Sequence, residues 1–195
     1  MKNVILITLL VLFAVGAFLF LTVRYSAEPT VEAPVPAVRP AVSLAVGDRA
    51  PEFELPDQTG QLHSLEDYRD QWVVLYFYPK DDTPGCTIEA NQFTQLASEF
   101  AEADTVVLGV SKDSCASHQT FIDKYGLKVD LLADSSGQLC DAYGVWQEKE
   151  KNGVKKMGIV RSTFVIDAQG VVRHALYNVT PKGHAAQILE LVKAL

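Results

Sequence analysis

The sequence predicts an α/β domain, a sheet with helices packed on its faces, preceded by one transmembrane helix. Three observations carry that expectation. WVVLYFY (residues 72–78) is an unbroken apolar run, the pattern of a strand covered on both faces. A helical apolar period follows at once, and TVVLGV (residues 105–110) supplies a second covered strand. Strand, helix, strand without a hairpin requires a parallel pair joined by a right-handed crossover. The third observation is VILITLLVLFAVGAFLFLTV (residues 4–23), which contains no charge.

As a helix, that first segment reaches about 30 Å, the thickness of a bilayer core. A cleavable signal peptide is the rival reading, but its apolar region is usually about 7–15 residues long and ends at a small-x-small site. Here RYSAE follows, with Tyr25 badly placed for such a site. Residues 1–24 are therefore read as an uncleaved anchor. Lys2 faces Arg24 and Arg39 across it, so charge barely sets the orientation. The preferred arrangement is a single pass through a bacterial inner membrane with the catalytic domain in the periplasm. Residues 25–46 carry Pro29, Pro34, Pro36 and Pro40 without an amphipathic period, which describes an extended Pro/Ala-rich spacer. The globular domain is expected over residues 47–195.

Within it, Thr83 suits the N-cap of the first helix and Pro84 its first position. Phe93, Leu96, Ala97 and Phe100 recur at the spacing of one buried helical face. After the strand at 105–110, a second helix is expected over 114–125, a short strand over 131–133 and a helical turn over 137–143. STFVIDAQGVVRHALYNV reads as two strands around a DAQG turn. Ala185, Ile188, Leu189, Val192 and Leu195 mark a closing helix.

The 195 residues carry a formal charge of −7, which argues against a nucleic-acid surface, since that needs a basic stripe. Cys86, Cys115 and Cys140 are too few for a disulfide scaffold, and no Cys-x-x-Cys pair is present. His63, His118, His174 and His184 lack paired metal spacing, so they are read as solvated or locally bonded, and neither metal nor cofactor is expected. Cys140 lies among apolar neighbours as a reduced core cysteine, and Tyr143 and Trp146 read as packing residues.

Cys86 differs because it falls in the first turn of a helix. There unpaired N–H groups and the positive end of the helix dipole favour a thiolate, which is the nucleophilic form. Packing as a small apolar residue is the alternative. Gly85 permits close approach to the backbone, Thr83 offers a hydroxyl nearby, and strand-end loops of parallel sheets are where ligands bind.

The stretch YFYPKDDTPGCTIEA, with Pro79, Thr83 and Cys86 spaced as P-x-x-x-T-x-x-C, resembles the active-site signature of peroxiredoxins. It is nearest the bacterioferritin comigratory protein, or PrxQ, branch of the AhpC/TSA-like proteins. GDRAPEFELPDQTG, LGVSKDS, LLADSSGQLCDAYGVW and RSTFVIDAQG are similar to that branch in the same order, so the resemblance spans residues 47–195. It implies a thioredoxin-like fold with a central mixed sheet, and thiol-dependent reduction of hydrogen peroxide and organic hydroperoxides. It also implies Cys86 as the peroxidatic thiolate, Thr83 as the hydroxyl that orients peroxide, Arg161 as the neighbouring cation and Pro79 as a shield. From sequence alone, Arg161 also reads as a solvated residue ahead of a strand, and Thr83 as a helix cap. An external thiol, a thioredoxin-like protein or a small molecule, is the implied reductant, and the domain is expected as a monomer or weak dimer.

The usual resolving cysteines of that branch are missing, because their positions hold Asn91 and Ile122. Cys115 stands seven residues before Ile122, roughly on the same helical face, and is a candidate substitute. An incidental cysteine is the other reading. A one-cysteine cycle is the expectation. Two functions of other classes remain open, a membrane-tethered thiol–disulfide oxidoreductase and a non-enzymatic thioredoxin-like holdase.

Overall fold

The computed structural model describes residues 43–195 apart from Asn152. The expected membrane helix and all but the last four residues of the spacer lie outside the described residues. Among the described residues, no helix is long and apolar enough to cross a membrane.

A short hairpin, β1 (Glu54–Pro56) and β2 (Leu62–Ser64), leads through a 3-10 turn at Leu65–Tyr68 into β3 (Trp72–Phe77). The chain crosses by α1 (Pro84–Gln95) and α2 (Ala97–Glu102) to β4 (Thr105–Ser111). It then passes by α3 (Cys115–Tyr125) to β5 (Asp130–Ala133) and on to α4 (Gln138–Ala142). The hairpin β6 (Trp146–Lys151) and β7 (Val154–Ile159) precedes β8 (Ser162–Ile166), β9 (Val172–Tyr177) and α5 (His184–Lys193).

The central sheet has the order β5-β4-β3-β8-β9. β3, β4 and β5 are parallel, as the crossover argument requires, while β8 is antiparallel to β3 and β9 to β8. This is the mixed α/β sheet that the sequence predicts. Successive residues of β3 feed opposite layers: Val73, Leu75 and Phe77 pack with Phe164 and Tyr143, and Val74 and Tyr76 with Phe93 and Ile188. A continuous apolar run is therefore needed, since both faces are covered. Cys86 belongs to the second layer, beneath α1 and α5. Phe93 is fully buried there, which contributes about 2–3 kcal/mol of apolar transfer.

Two expectations are corrected and one element is added. The first helix does not run unbroken to Phe100, because Leu96, at φ −98° and ψ 6°, ends α1 and opens α2. The packed domain begins before residue 47: Leu44 is buried, and its N–H donates to the Tyr177 hydroxyl at 2.8 Å. The β6–β7 hairpin is an addition, since β7 is exposed along most of its length and the apolar pattern gives no sign of either strand. The Asn-Gly pair at 152–153 was its one signal, between Lys151 and Val154, which pair across the turn.

Candidate active site

β3 ends at Phe77, and the Tyr78 N–H still bonds to the β4 carbonyl of Val110 at 3.1 Å. The chain then leaves the sheet through exposed Pro79 and Lys80 and turns at Asp82, whose φ is 53°. Thr83 is extended and starts α1, its carbonyl accepting from the Thr87 N–H at 2.9 Å. Its hydroxyl makes no cap. It donates to the Lys80 carbonyl at 3.0 Å, which closes the loop on itself.

This geometry delivers Cys86 to the first turn of a 12-residue helix, only 2% exposed. Arg161, on the short link between β7 and β8, reaches it: Nη2 lies 3.2 Å from the Cys86 Sγ. The Arg161 backbone is held by the Val179 N–H, which donates to its carbonyl at 3.0 Å. Gly85 stands at this crossing, where a Cβ would lie in ordinary contact, 3.4 Å from both Arg161 Nη2 and Pro181 Cγ. Cys86, Arg161 and Thr83, far apart or merely adjacent in sequence, thus occupy one helix start. Pro79 stands exposed at the head of the same loop.

Two further groups belong to the cluster. Glu89, wholly buried on α1, pairs through Oε2 with Arg161 Nη1, while its Oε1 has no partner among the described residues. Burial pushes its carboxyl up to about 7, with the Arg161 charge opposing. Burial alone would disfavour the Arg161 charge, but Glu89 and Cys86 reverse that and hold the guanidinium above its ordinary value. Glu89 could have been found by extending the apolar face of α1 backwards: Cys86, Glu89, Ala90 and Phe93 share one buried face. Lys149, on β6, is half-buried and donates to the Ile159 carbonyl at 2.9 Å. Burial, and next the Arg161 charge, pull its ammonium below the ordinary lysine value, against a Cys86 thiolate that raises it.

The other expected residues lie elsewhere. All three cysteines are free. Cys115 is the first residue of α3 and half-buried. Cys140 is fully buried, and burial raises its thiol far above the reactive range. His118 and His184 are buried, the former bonded to Asp81 and the latter to Thr163 Oγ1 at 2.8 Å. A cleft lined by Arg49, Tyr68, Val73 and Asp167 lies at the opposite, amino-terminal end of β3 and carries no nucleophile.

Chemically, the arrangement is a buried sulfur at a positive helix end, touched by a guanidinium that is itself braced by the Glu89 carboxyl group. It can stabilise a thiolate and the negative charge that builds on a departing oxygen. The AhpC/TSA family model matches residues 46–175. Peroxiredoxin Bcp of Bacillus subtilis is 42% identical over 152 residues, which are 78% of this chain and 97% of that protein. Peroxiredoxin Bcp of Escherichia coli K12 is 39% identical over 150 residues, 77% of this chain and 96% of the relative. Among solved structures, the Xanthomonas campestris bacterioferritin comigratory protein, described for its alkyl peroxide reduction activity, matches with a TM-score of 0.70 and 40% identity. The match covers 73% of this chain and 90% of that one. A cysteine-to-serine mutant of PrxQ from Xylella fastidiosa matches at a TM-score of 0.74 and 38% identity, over 78% and 98%.

Proposed function

The chain belongs to the AhpC/TSA family as a peroxiredoxin of the Bcp/PrxQ type, a thiol peroxidase, and from that premise we propose that Cys86 is its peroxidatic thiolate. The observation that carries this is the 3.2 Å contact between Arg161 Nη2 and the Cys86 Sγ at the start of α1. The thiolate attacks the terminal oxygen of a hydroperoxide. The S–O bond forms as the O–O bond breaks, leaving Cys86 as a sulfenic acid and the rest of the peroxide as an alkoxide or hydroxide that takes a proton. Arg161 lies where it steadies both the thiolate and the departing oxygen, and Glu89 fixes the direction of the guanidinium. Thr83 orients the peroxide through its hydroxyl, and Pro79 shields the mouth of the site.

Alkyl hydroperoxides are the proposed substrates beside hydrogen peroxide, by likeness to the Xanthomonas protein. Resolution is proposed to follow a one-cysteine cycle with an external thiol, because Asn91 and Ile122 occupy the usual resolving positions. A Cys86–Cys115 disulfide is the second reading. It is favoured by Asp81, whose bonds to Ser117 and His118 tie the peroxidatic loop to the helix turn that Cys115 begins. The domain is proposed to hang from the inner membrane into the periplasm, supported by the uncharged apolar run at residues 4–23.

The test of the chemistry is Cys86→Ser, which keeps the side-chain volume but has no accessible anion at neutral pH. Peroxide consumption should vanish while the circular dichroism stays native, and turnover at the wild-type rate would sink the assignment. For the membrane placement, the full chain should stay in the membrane fraction through a carbonate wash and be digested when protease is added to spheroplasts. Release by carbonate would mean that the segment does not anchor the protein.

A further inference from the structure

The exposed charge of the domain is sorted along the strands. At the end where β3 and β4 begin, Glu66, Asp67, Asp70, Glu102 and Asp104 are all exposed. Trp72 opens β3 there, its N–H donating to the Asp104 carbonyl at 3.0 Å. At the opposite end, where β3 stops and Cys86 lies, lysines prevail. Lys80 is exposed in the loop after β3, Lys182 in the link from β9 to α5, and Lys155 and Lys156 on β7. Of the exposed carboxylates at this end, Asp82 and Glu148 are already paired with Lys124 and Lys155, and Glu150 stands opposite Lys155 in the hairpin register. The β6–β7 hairpin belongs to this end because its base is tied there twice. The Val160 N–H donates to the Val145 carbonyl at 2.8 Å just before β8 begins beside Phe77, and Lys112, which follows β4, holds its ammonium 4.5 Å from the Trp146 ring centroid.

Register puts Lys149 and Lys156 directly opposite each other on one hairpin face, and neither pairs with a carboxylate among the described residues. Like charges so placed repel, and a nearby anion relieves the repulsion. Lys149 leans along this face to the Ile159 carbonyl, two residues ahead of Arg161, so the basic face runs up to the site. Large apolar side chains stand exposed among these lysines: Val154 and Met157 on β7 are 63% and 49% exposed, and Ile88, two residues beyond Cys86, is 43% exposed. Basic and apolar groups mixed in this way suit a surface that lies on anionic lipid. The chain as a whole carries −7, so its acidic end is repelled by such a surface and its Cys86 end is turned toward it. Residues 24–43 separate the uncharged run at 4–23 from Leu44, where the packed chain begins. Extended, that length of chain reaches roughly 60 Å, enough for either end of the domain to meet a bilayer, so charge decides which end does.

We propose that the end of the domain carrying Cys86 docks on an anionic lipid bilayer through the β6–β7 hairpin with Lys80 and Lys182, and that hydroperoxides borne on the acyl chains are a substrate. The proposal rests on Cys86 being the peroxidatic residue and takes its surface from the membrane placement. The chemistry is unchanged: the Cys86 sulfur bonds to the terminal oxygen, the O–O bond breaks, and the lipid leaves as an alcohol once its alkoxide is protonated. Docking raises the concentration of this substrate at the site and adds no chemical step.

The experiment places the full chain in vesicles of phosphatidylcholine alone or mixed with phosphatidylglycerol, each carrying the same amount of phosphatidylcholine hydroperoxide. Sulfenic acid formation at Cys86 is followed by mass spectrometry. At low salt the anionic vesicles should react about tenfold faster than the neutral ones, the scale of two lysines near an anionic surface. High salt should erase the difference. Lys155→Glu combined with Lys156→Glu should erase it too, while leaving oxidation by tert-butyl hydroperoxide unchanged. Lys182→Glu should reduce it, which keeps the test available if the double variant does not fold. Equal rates on the two vesicles, or a difference that the lysine variants leave intact, overturns the docking face. A double variant whose only defect is slower reduction of the sulfenic acid by thioredoxin assigns the lysines to the reducing protein and overturns it as well. Absence of sulfenic acid at Cys86 with tert-butyl hydroperoxide would instead overturn the reading of Cys86, and a chain that high salt strips from both vesicles overturns the anchor alone.

Discussion

Arg161 is the residue on which the site turns, because its two guanidinium nitrogens are divided between Cys86 and Glu89. A planar fork with two separate targets cannot be replaced by a lysine point charge without losing one of them. Arg161→Ala should therefore slow sulfenic acid formation by about a hundredfold, the usual loss when one donor to a developing anion is removed. Arg161→Lys should recover only part of it, and stopped-flow mixing with peroxide decides both. Glu89→Gln keeps the shape but weakens the hold on the guanidinium. Its expected loss is about tenfold, well short of that of Arg161→Ala, since Glu89 acts through the arginine. Equal losses for the two variants would mean that Glu89 takes part directly.

At the scale of elements, β3 and β4 press so closely that Gly109 is structural. A Cβ there would meet Leu131 Cδ2 at 2.6 Å and the Tyr76 ring at 2.7 Å, both buried side chains in the layer beneath α1. Gly109→Ala should cost about 1–3 kcal/mol of stability in urea unfolding, as overpacking does in other cores. By contrast, Gly153→Ala has open space around it and φ of 75°, so its cost is backbone strain alone, in a hairpin that the sheet does not depend on. Thr83 separates cap from chemistry at the start of α1, because its hydroxyl donates to Lys80 and not to the helix. Thr83→Ser should keep near-normal turnover. Thr83→Val should lose about tenfold or more with little change in melting temperature, whereas a capping role would show as lost stability.

For the whole molecule, two buried groups bend the stability curve in opposite directions. His184 is 1% exposed, and burial, offset in part by Gln187 and reinforced by Arg161, lowers its value to about 4. Between about 4 and 6.5 the unfolded chain binds a proton that the native state refuses, so stability falls as pH drops through this window. The shift corresponds to on the order of 3 kcal/mol. Glu89, raised to about 7, does the reverse: the native state keeps a proton that the unfolded chain has lost, so stability falls as pH rises from about 4.5 to 7. The two oppose each other between about 4.5 and 6.5. Glu89→Gln should therefore make denaturant stability climb more steeply with pH in that window than in the wild type. A curve parallel to wild type would show that Glu89 is not buried as a neutral acid.

The sequence by itself determined the α/β class, the parallel β3–β4 pair and the helix start that carries Cys86. These are local or periodic properties: an apolar run, a Thr-Pro start and a 3.6-residue repeat act over a few residues and need no knowledge of what packs on them. Tertiary structure alone decided what touches the sulfur. Arg161 lies 75 residues from Cys86 and reaches it only because β8 pairs beside β3, a choice made by sheet topology and not by any local signal. The same holds for His118 and Asp81, 37 residues apart: each alone reads as a polar surface residue, and burial gives the pair its strength only once α3 is laid against the loop. The β6–β7 hairpin escaped notice because strands without a buried face leave no hydrophobic period to read, although they bring Lys149 to the link that ends in Arg161.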